Sequence, residues 1–157
     1  MRRALEMQGV AAEIRRFEAE VPTAAAAAEQ LGCETGAIAN SLLFKAGDGV
    51  VLVLSSGARR VDVGRVARLL GIGRKKVRRA DPVLVLEVTG QQVGGVAPIG
   101  HPAALRTLVD RELTKFDVVW AGAGDDHSMF ATSATGLIAM TGGELVDVAV
   151  SAGGPEA

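Results

Sequence analysis

The feature that most restricts the fold is a pair of apolar runs hinged on a short polar turn. Ile38, Leu42, Leu43 and Phe44 lie within Ala37 to Lys45, Val50 to Leu54 is apolar throughout, and Gly47-Asp48-Gly49 between them has the chemistry of a hairpin turn. The rest of the chain has to be arranged around a sheet that contains this hairpin.

Helical signals precede and follow it. Val21-Pro22-Thr23, five alanines and Glu29-Gln30-Leu31-Gly32 combine a hydroxyl cap, strong helix formers and a terminating glycine. The small alanine side chains suit close packing on a sheet. Val63, Val66, Ala67, Leu69 and Leu70 recur at helical spacing before Gly71. Asp81-Pro82 opens a further helix to about Thr89, although Val83 to Val88 could equally form a strand by propensity. Strands are expected at 105–109, 118–121 and 129–131, and a last helix at Ser133 to Met140. The amino-terminal region reads as a short helix, Met1 to Gly9, and an edge strand within Ala12 to Glu18. Short strands interspersed with helices, without regular alternation, predict an α+β fold on a mixed sheet. With 157 residues, 48% of them hydrophobic, one core and one domain over 1–150 are expected, with 151–157 a flexible tail.

Composition excludes several functions. No apolar stretch approaches the roughly 20 residues a membrane span requires, and no signal-peptide core is present, so a cytoplasmic location is expected. Cys33 is the only cysteine, which rules out an internal disulfide and a cysteine-based zinc site, and it reads as a small buried residue. A net charge of −1 argues against binding nucleic acid over the whole surface. Nine of the seventeen basic residues nevertheless fall between Arg59 and Arg79, with Asp62 the only acid among them. That patch is either a solvated helix face and turn or a landing surface for a phosphate backbone. With four Phe, one Trp and no Tyr, stacking on single strands is not expected.

Two glycine-rich segments concentrate the functional signal. The first runs Thr89-Gly90-Gln91-Gln92-Val93-Gly94-Gly95-Val96-Ala97-Pro98-Ile99-Gly100-His101-Pro102. Its glycines let backbone approach a ligand, its prolines stiffen the loop, and it is longer than a simple connection needs. Such a loop can aim amides at an anion or a developing oxyanion. The second, Ala121-Gly122-Ala123-Gly124-Asp125-Asp126-His127-Ser128, begins like a dinucleotide fingerprint, but His127 stands where the third glycine belongs. A metal set drawn from Asp125, Asp126, His127 and His101 lacks a helical histidine pair, and a serine triad lacks a nucleophile elbow.

The order of these pieces resembles the YbaK/EbsC-like, prolyl-tRNA-synthetase-associated domains. The resemblance spans about residues 5–149 and rests on Leu31-Gly32, Ile38-Ala39-Asn40-Ser41-Leu42-Leu43-Phe44, Arg60-Val61-Asp62, Ala80-Asp81-Pro82, Thr89-Gly90 and, above all, Gly94-Gly95-Val96-Ala97-Pro98-Ile99-Gly100. It implies a mixed, partly barrel-like sheet flanked by helices. It also implies an editing activity that removes a small wrong amino acid (alanine, cysteine, serine or similar) from tRNA, often tRNA(Pro), without metal or cofactor.

One departure stands out: many members have a lysine where this chain has Asn40, a group that donates hydrogen bonds without charge. Lys45, five residues along the strand, lies on its opposite face and is no substitute. By analogy with the family, Asn40 orients the substrate and the amides of Gly94, Gly95 and Gly100 hold the scissile carbonyl. His101 is the candidate proton carrier, and the free ribose hydroxyl can assist. Ile38, Leu42, Val96 and Ile99 are candidate pocket walls, with Thr89, Gly90, Ala97, Pro98, Gly124, Asp125 and His127 completing the binding set. Arg59, Arg60, Arg74, Lys75 and Lys76 are the candidate tRNA contacts. The acceptor end of aminoacyl-tRNA is the expected partner; prolyl-tRNA synthetase and a second copy of the chain are further ones. Two alternatives stay open: a non-catalytic tRNA- or synthetase-binding module that has lost the family lysine, and a small-nucleotide-binding protein.

Overall fold

Strands β2 (Ile38–Ala46) and β3 (Gly49–Ser56) form the expected hairpin, in register from Ala39 opposite Ser56 to Ala46 opposite Gly49. They are the centre of a computed structural model that describes residues 14–18, 23–125 and 127–151. The helix expected at Met1 to Gly9 and residues 152–157 of the expected tail lie outside the described residues.

Around the hairpin, β1 (Ile14–Arg16), β6 (Thr107–Asp110), β7 (Val119–Gly122), β8 (Ser128–Thr132) and β9 (Glu144–Val146) extend the sheet in the order β1-β8-β7-β2-β3-β6-β9. A short strand β5 (Val77–Arg79) also pairs with β2. Separately, β4 (Arg59–Val61) pairs with β10 (Ala149–Ser151). The sheet is mixed: β2 runs parallel to β7, and β6 runs parallel to β3 and β9, while the other pairings are antiparallel. With four helices among the described residues flanking it, the architecture is α+β.

The helices are α1 (Ala24–Leu31), α2 (Val63–Leu70), α3 (Pro82–Thr89) and α4 (Ala134–Thr141). Each begins where a side-chain oxygen accepts an otherwise orphaned amide: Thr23 from Ala26, Asp62 from Gly64, Asp81 from Leu84 and Ser133 from Gly136. Each is followed by a left-handed glycine. These end signals decide the ambiguous segment after Asp81: with Pro82 in its first turn, it is helix α3 despite its β-branched content. Strands β4, β5, β9 and β10 were not foreseen, because three residues are too few to show a period. The last of them reaches Ser151, so pairing continues one residue into the expected tail.

Packing follows the period-2 rule. Ala39, Leu52 and Leu54 point to a core with Phe130, Leu113, Leu137 and α4, whereas Phe44, Val51 and Val53 point to another with Val66 and Ala67 of α2. A third cluster sets Ala27 and Ala28 against Ile38, Trp120 and Met129, the close helix-on-sheet contact that the alanine run allows. Cys33 packs beside it, and burial raises its thiol pKa, so the thiolate is disfavoured. Between β3 and β6, the fully buried Asp110 accepts the Ser56 amide at 3.1 Å and the Glu112 amide at 3.0 Å.

Fully buried Phe130 should be costly to truncate. Phe130→Ala is expected to destabilise the fold by about 3–5 kcal/mol, and Val118→Ala, at a half-exposed site, by less than about 0.5 kcal/mol. Urea unfolding of the two variants measures the contrast.

Candidate functional site

Strand β2 is paired along one edge from Ala39 to Ala46 by β3, but its other edge is shared. β7 takes Ile38 and Ala39, and β5 takes Phe44 to Ala46. Between these partners, no strand among the described residues lies beside Asn40 to Leu43 on this edge, where the Leu43 carbonyl accepts the Ala80 amide at 3.0 Å. Backbone polar groups alternate in direction along a strand, so the N–H and C=O of Ser41 face the same gap. A half-open cavity of about 280 Å³ lies there, just below the usual size range of ligand pockets.

Asn40, Ser41, Ile38 and Leu42 of β2 line this cavity. The Ser41 hydroxyl is buried without a hydrogen-bond partner among the described residues. A buried polar atom left unmatched costs stability unless a ligand or water satisfies it. Helix α1 contributes Ala24 and Ala27, whose short side chains leave the space open. Asp125 and Arg79 are the charged lining residues.

The two glycine-rich segments meet at the cavity wall. A Cβ on Gly95 would lie 2.3 Å from the carbonyl carbon of Asp125, and one on Gly122 would lie 2.8 Å from the Val96 carbonyl oxygen. Only glycine allows this backbone-to-backbone contact, which the Gly124 amide fastens by donating to the Gly95 carbonyl at 3.0 Å. A chain of hydrogen bonds holds the first loop in shape. Thr89, itself buried, donates from Oγ1 to the Val85 and Gln91 carbonyls, Gln91 Oε1 accepts the Ala97 amide at 2.7 Å, and His101 Nε2 lies 2.7 Å from the Ala97 carbonyl. Gly95 gives its amide to Gln92 and Ala97 gives its own to Gln91, whereas Gly94 and Val96, both lining the cavity, have amides without a hydrogen-bond partner among the described residues.

The expected site residues therefore divide. Asn40, Ile38, Leu42, Gly94, Val96 and Asp125 come together around the cavity. Thr89, Gly90, Gly100, His101 and Gly124 line a shallower depression of about 490 Å³, with Asp125 shared between the two. The depression is larger but more open, and the deeper cavity with its polar lining is the better binding site. Ala97, Pro98 and Ile99 are buried, Ile99 in the main core, and support the loop from behind. Gly95 joins the loops by contact. His127 lines neither space; its amide donates to Asp125 Oδ1 at 2.8 Å, which with Ser128 steadies that carboxylate. His101 is turned to the Ala97 carbonyl, away from the cavity, and burial lowers its pKa despite that hydrogen bond. The imidazole is thus neutral near pH 7 and acts as a strut for the loop.

The basic patch divides too. Arg59 is ion-paired with Glu112 at 3.4 Å and Asp147 at 3.6 Å, and Arg65 with Asp62 and Asp147. Arg60 lies in β4, whereas Arg74, Lys75 and Lys76 form an exposed turn leading into β5. Sequence reasoning missed Ser41, Ala24, Ala27, Gly122 and Arg79 as cavity residues. Only topology brings Arg79 next to β2, since nothing local separates it from its basic neighbours. Among the described residues, no helix is long and apolar enough to cross a membrane, and no three His, Cys, Asp or Glu side chains cluster as a metal site.

Fold and site together define a small α+β domain whose cavity is a break in a mixed sheet, closed by two interlocked glycine loops. The chain belongs to the aminoacyl-tRNA editing domain family, whose model matches residues 18–139. It is 32% identical over 117 residues to the uncharacterized protein YwhH of Bacillus subtilis (strain 168), covering 74% of this chain and 73% of that one. It is also 32% identical over 95 residues to the proline–tRNA ligase of Thermoanaerobacter sp. (strain X514), 60% of this chain but 17% of the ligase. Among solved structures, one described as "a putative trans-editing enzyme for prolyl tRNA synthetase" superposes with a TM-score of 0.90 at 35% identity, over 96% of this chain and 94% of that one.

Two outcomes follow. Gly95→Ala should push the glycine loops apart and destabilise the fold by about 1–3 kcal/mol. Gly73→Ala, in an extended backbone with nothing within 4 Å, should be neutral; thermal melts compare them. The second concerns pH. Below the ordinary histidine value of about 6.5, the unfolded chain takes up a proton that folded His101 resists until its lowered pKa is reached. Stability should fall as pH drops through that window, and His101→Gln should flatten the dependence of Tm on pH between about 7.5 and 5.

Proposed function

We propose that this protein hydrolyses the ester between a small non-cognate amino acid and the terminal ribose of tRNA, tRNA(Pro) first among candidates, acting in trans to a prolyl-tRNA synthetase. The observation that carries the proposal is the meeting, in one cavity of an editing-family chain, of Asn40, the loop residues Gly94 and Val96, and Asp125.

Water attacks the ester carbonyl and a tetrahedral oxyanion forms. The amides of Gly94 and Val96 receive its charge, a role worth about 3–4 kcal/mol for one donor in other acyl-transfer sites. Asn40 donates a further hydrogen bond to the substrate, and the Asp125 carboxylate at the mouth faces the α-ammonium group. The vicinal ribose hydroxyl relays a proton to the leaving oxygen, so that free amino acid and tRNA with its terminal hydroxyl restored are released. No side-chain nucleophile takes part. His101 acts at one remove, by holding Ala97 and with it the loop amides.

Selectivity on this reading comes from steric exclusion by Ile38, Leu42, Val96 and the alanines of α1, since added attraction discriminates small apolar side chains weakly. Val93 is half-exposed on the cavity rim, so Val93→Trp can obstruct the entrance without straining the core. This variant is expected to lose at least about tenfold in deacylation kcat/KM, equivalent to about 1.4 kcal/mol, with an unchanged Tm. Full activity in a folded Val93→Trp protein would place the chemistry elsewhere.

A further inference from the structure

We propose that Arg79 is the anion-holding residue of the cavity and takes the phosphodiester group that precedes the terminal adenosine of the tRNA. This assignment rests on the editing reading for the identity of the RNA, but not for the presence of the cation.

Four observations converge on it. Arg79 shares the cavity lining with Asn40, and it is the only cationic residue among the described residues that do so. Its place is set by backbone pairing, because β5 brings Arg79 opposite Phe44 just where the gap beside Asn40 to Leu43 begins. Its guanidinium carbon stands 5.7 Å from the centroid of the buried Phe44 ring, a contact that orients the planar group while leaving its N–H edges free. No carboxylate pairs with Arg79 among the described residues, in contrast to Arg59 and Arg65.

From Arg79 at the cavity rim, β5 leads back along the edge of β2 to the exposed basic turn of Arg74, Lys75 and Lys76, whereas Arg78 and its register partner Lys45 project to the opposite face. An RNA end whose last ester lies in the cavity would present its first phosphate at the rim and later ones along this edge. Guanidinium binds phosphate through two parallel hydrogen bonds, which fixes orientation as well as position. On this account the positive charge absent at Asn40 is supplied from the adjacent strand.

The test measures binding and hydrolysis separately on an RNA hairpin carrying the tRNA(Pro) acceptor stem and its CCA end. For Arg79→Gln, fluorescence anisotropy should show Kd for the uncharged hairpin raised about tenfold. The slope of log Kd against log salt should be lower by about 0.7–1. With the alanyl hairpin, KM should rise similarly while kcat stays within about threefold, as expected for loss of uniform binding. Arg79→Lys should recover most of the affinity, and Asn40→Lys added to Arg79→Gln should restore part of it. Unchanged Kd and salt slope in a folded Arg79→Gln protein would overturn the assignment. A wild-type protein that binds the hairpin through Arg79 yet hydrolyses no charged form would instead overturn the editing reading and leave the assignment standing.

Discussion

One strand with two unequal edges organises this molecule. On one side β2 is paired with β3 from Ala39 to Ala46, while on the other it is divided between β7 and β5. An interior strand must satisfy its backbone groups, and an interruption at the sheet's centre persists only if something polar can fill it. The Ser41 hydroxyl, buried and without a hydrogen-bond partner among the described residues, lies in this stretch. The apolar β3 strand and the two cores behind it stabilise the arrangement, with Leu52, Val53 and Leu54 wholly buried.

The interlocked glycine segments provide rigidity without bulk. Backbone approaches backbone at Gly95 and Gly122, so the wall is thin and its amides are aimed by main-chain geometry rather than by flexible side chains. The links from Thr89 through Gln91 and Ala97 to His101 hold that wall in one shape. Preorganised donors of this sort favour developing negative charge because they need no reorientation as the reaction proceeds. Asp125 belongs to both elements: its backbone touches Gly95 and its carboxylate lines the cavity.

Much of this was legible in the sequence, and the exceptions have physical causes. The hairpin, the four helices and the strands near 107, 119 and 128 follow from periodicity and end signals, and the capping side chains resolve even the valine-rich α3. Both glycine segments were identifiable as special, but their mutual contact is a tertiary fact. Ile99 shares the Val96 motif yet packs into the main core, whereas Val96 packs beside Leu43 and Val85 at the cavity, a division that tertiary contacts set. His101 illustrates the limit most directly: a histidine in a glycine loop reads as a proton carrier, while its ring is committed to the Ala97 carbonyl. Arg79 was indistinguishable from the other basic residues until the β2–β5 pairing set it at the cavity.

On the proposed function, this break in the sheet is a deacylation site that works with Asn40 in place of lysine. The most direct measurement follows ester loss from tRNA(Pro) charged separately with alanine, cysteine, serine, 2-aminobutyrate and proline, against spontaneous hydrolysis. Rapid loss of one small non-cognate residue, with proline retained, is the predicted result. Loss no faster than the spontaneous rate for all five would contradict it and favour a tRNA- or synthetase-binding role for the same fold.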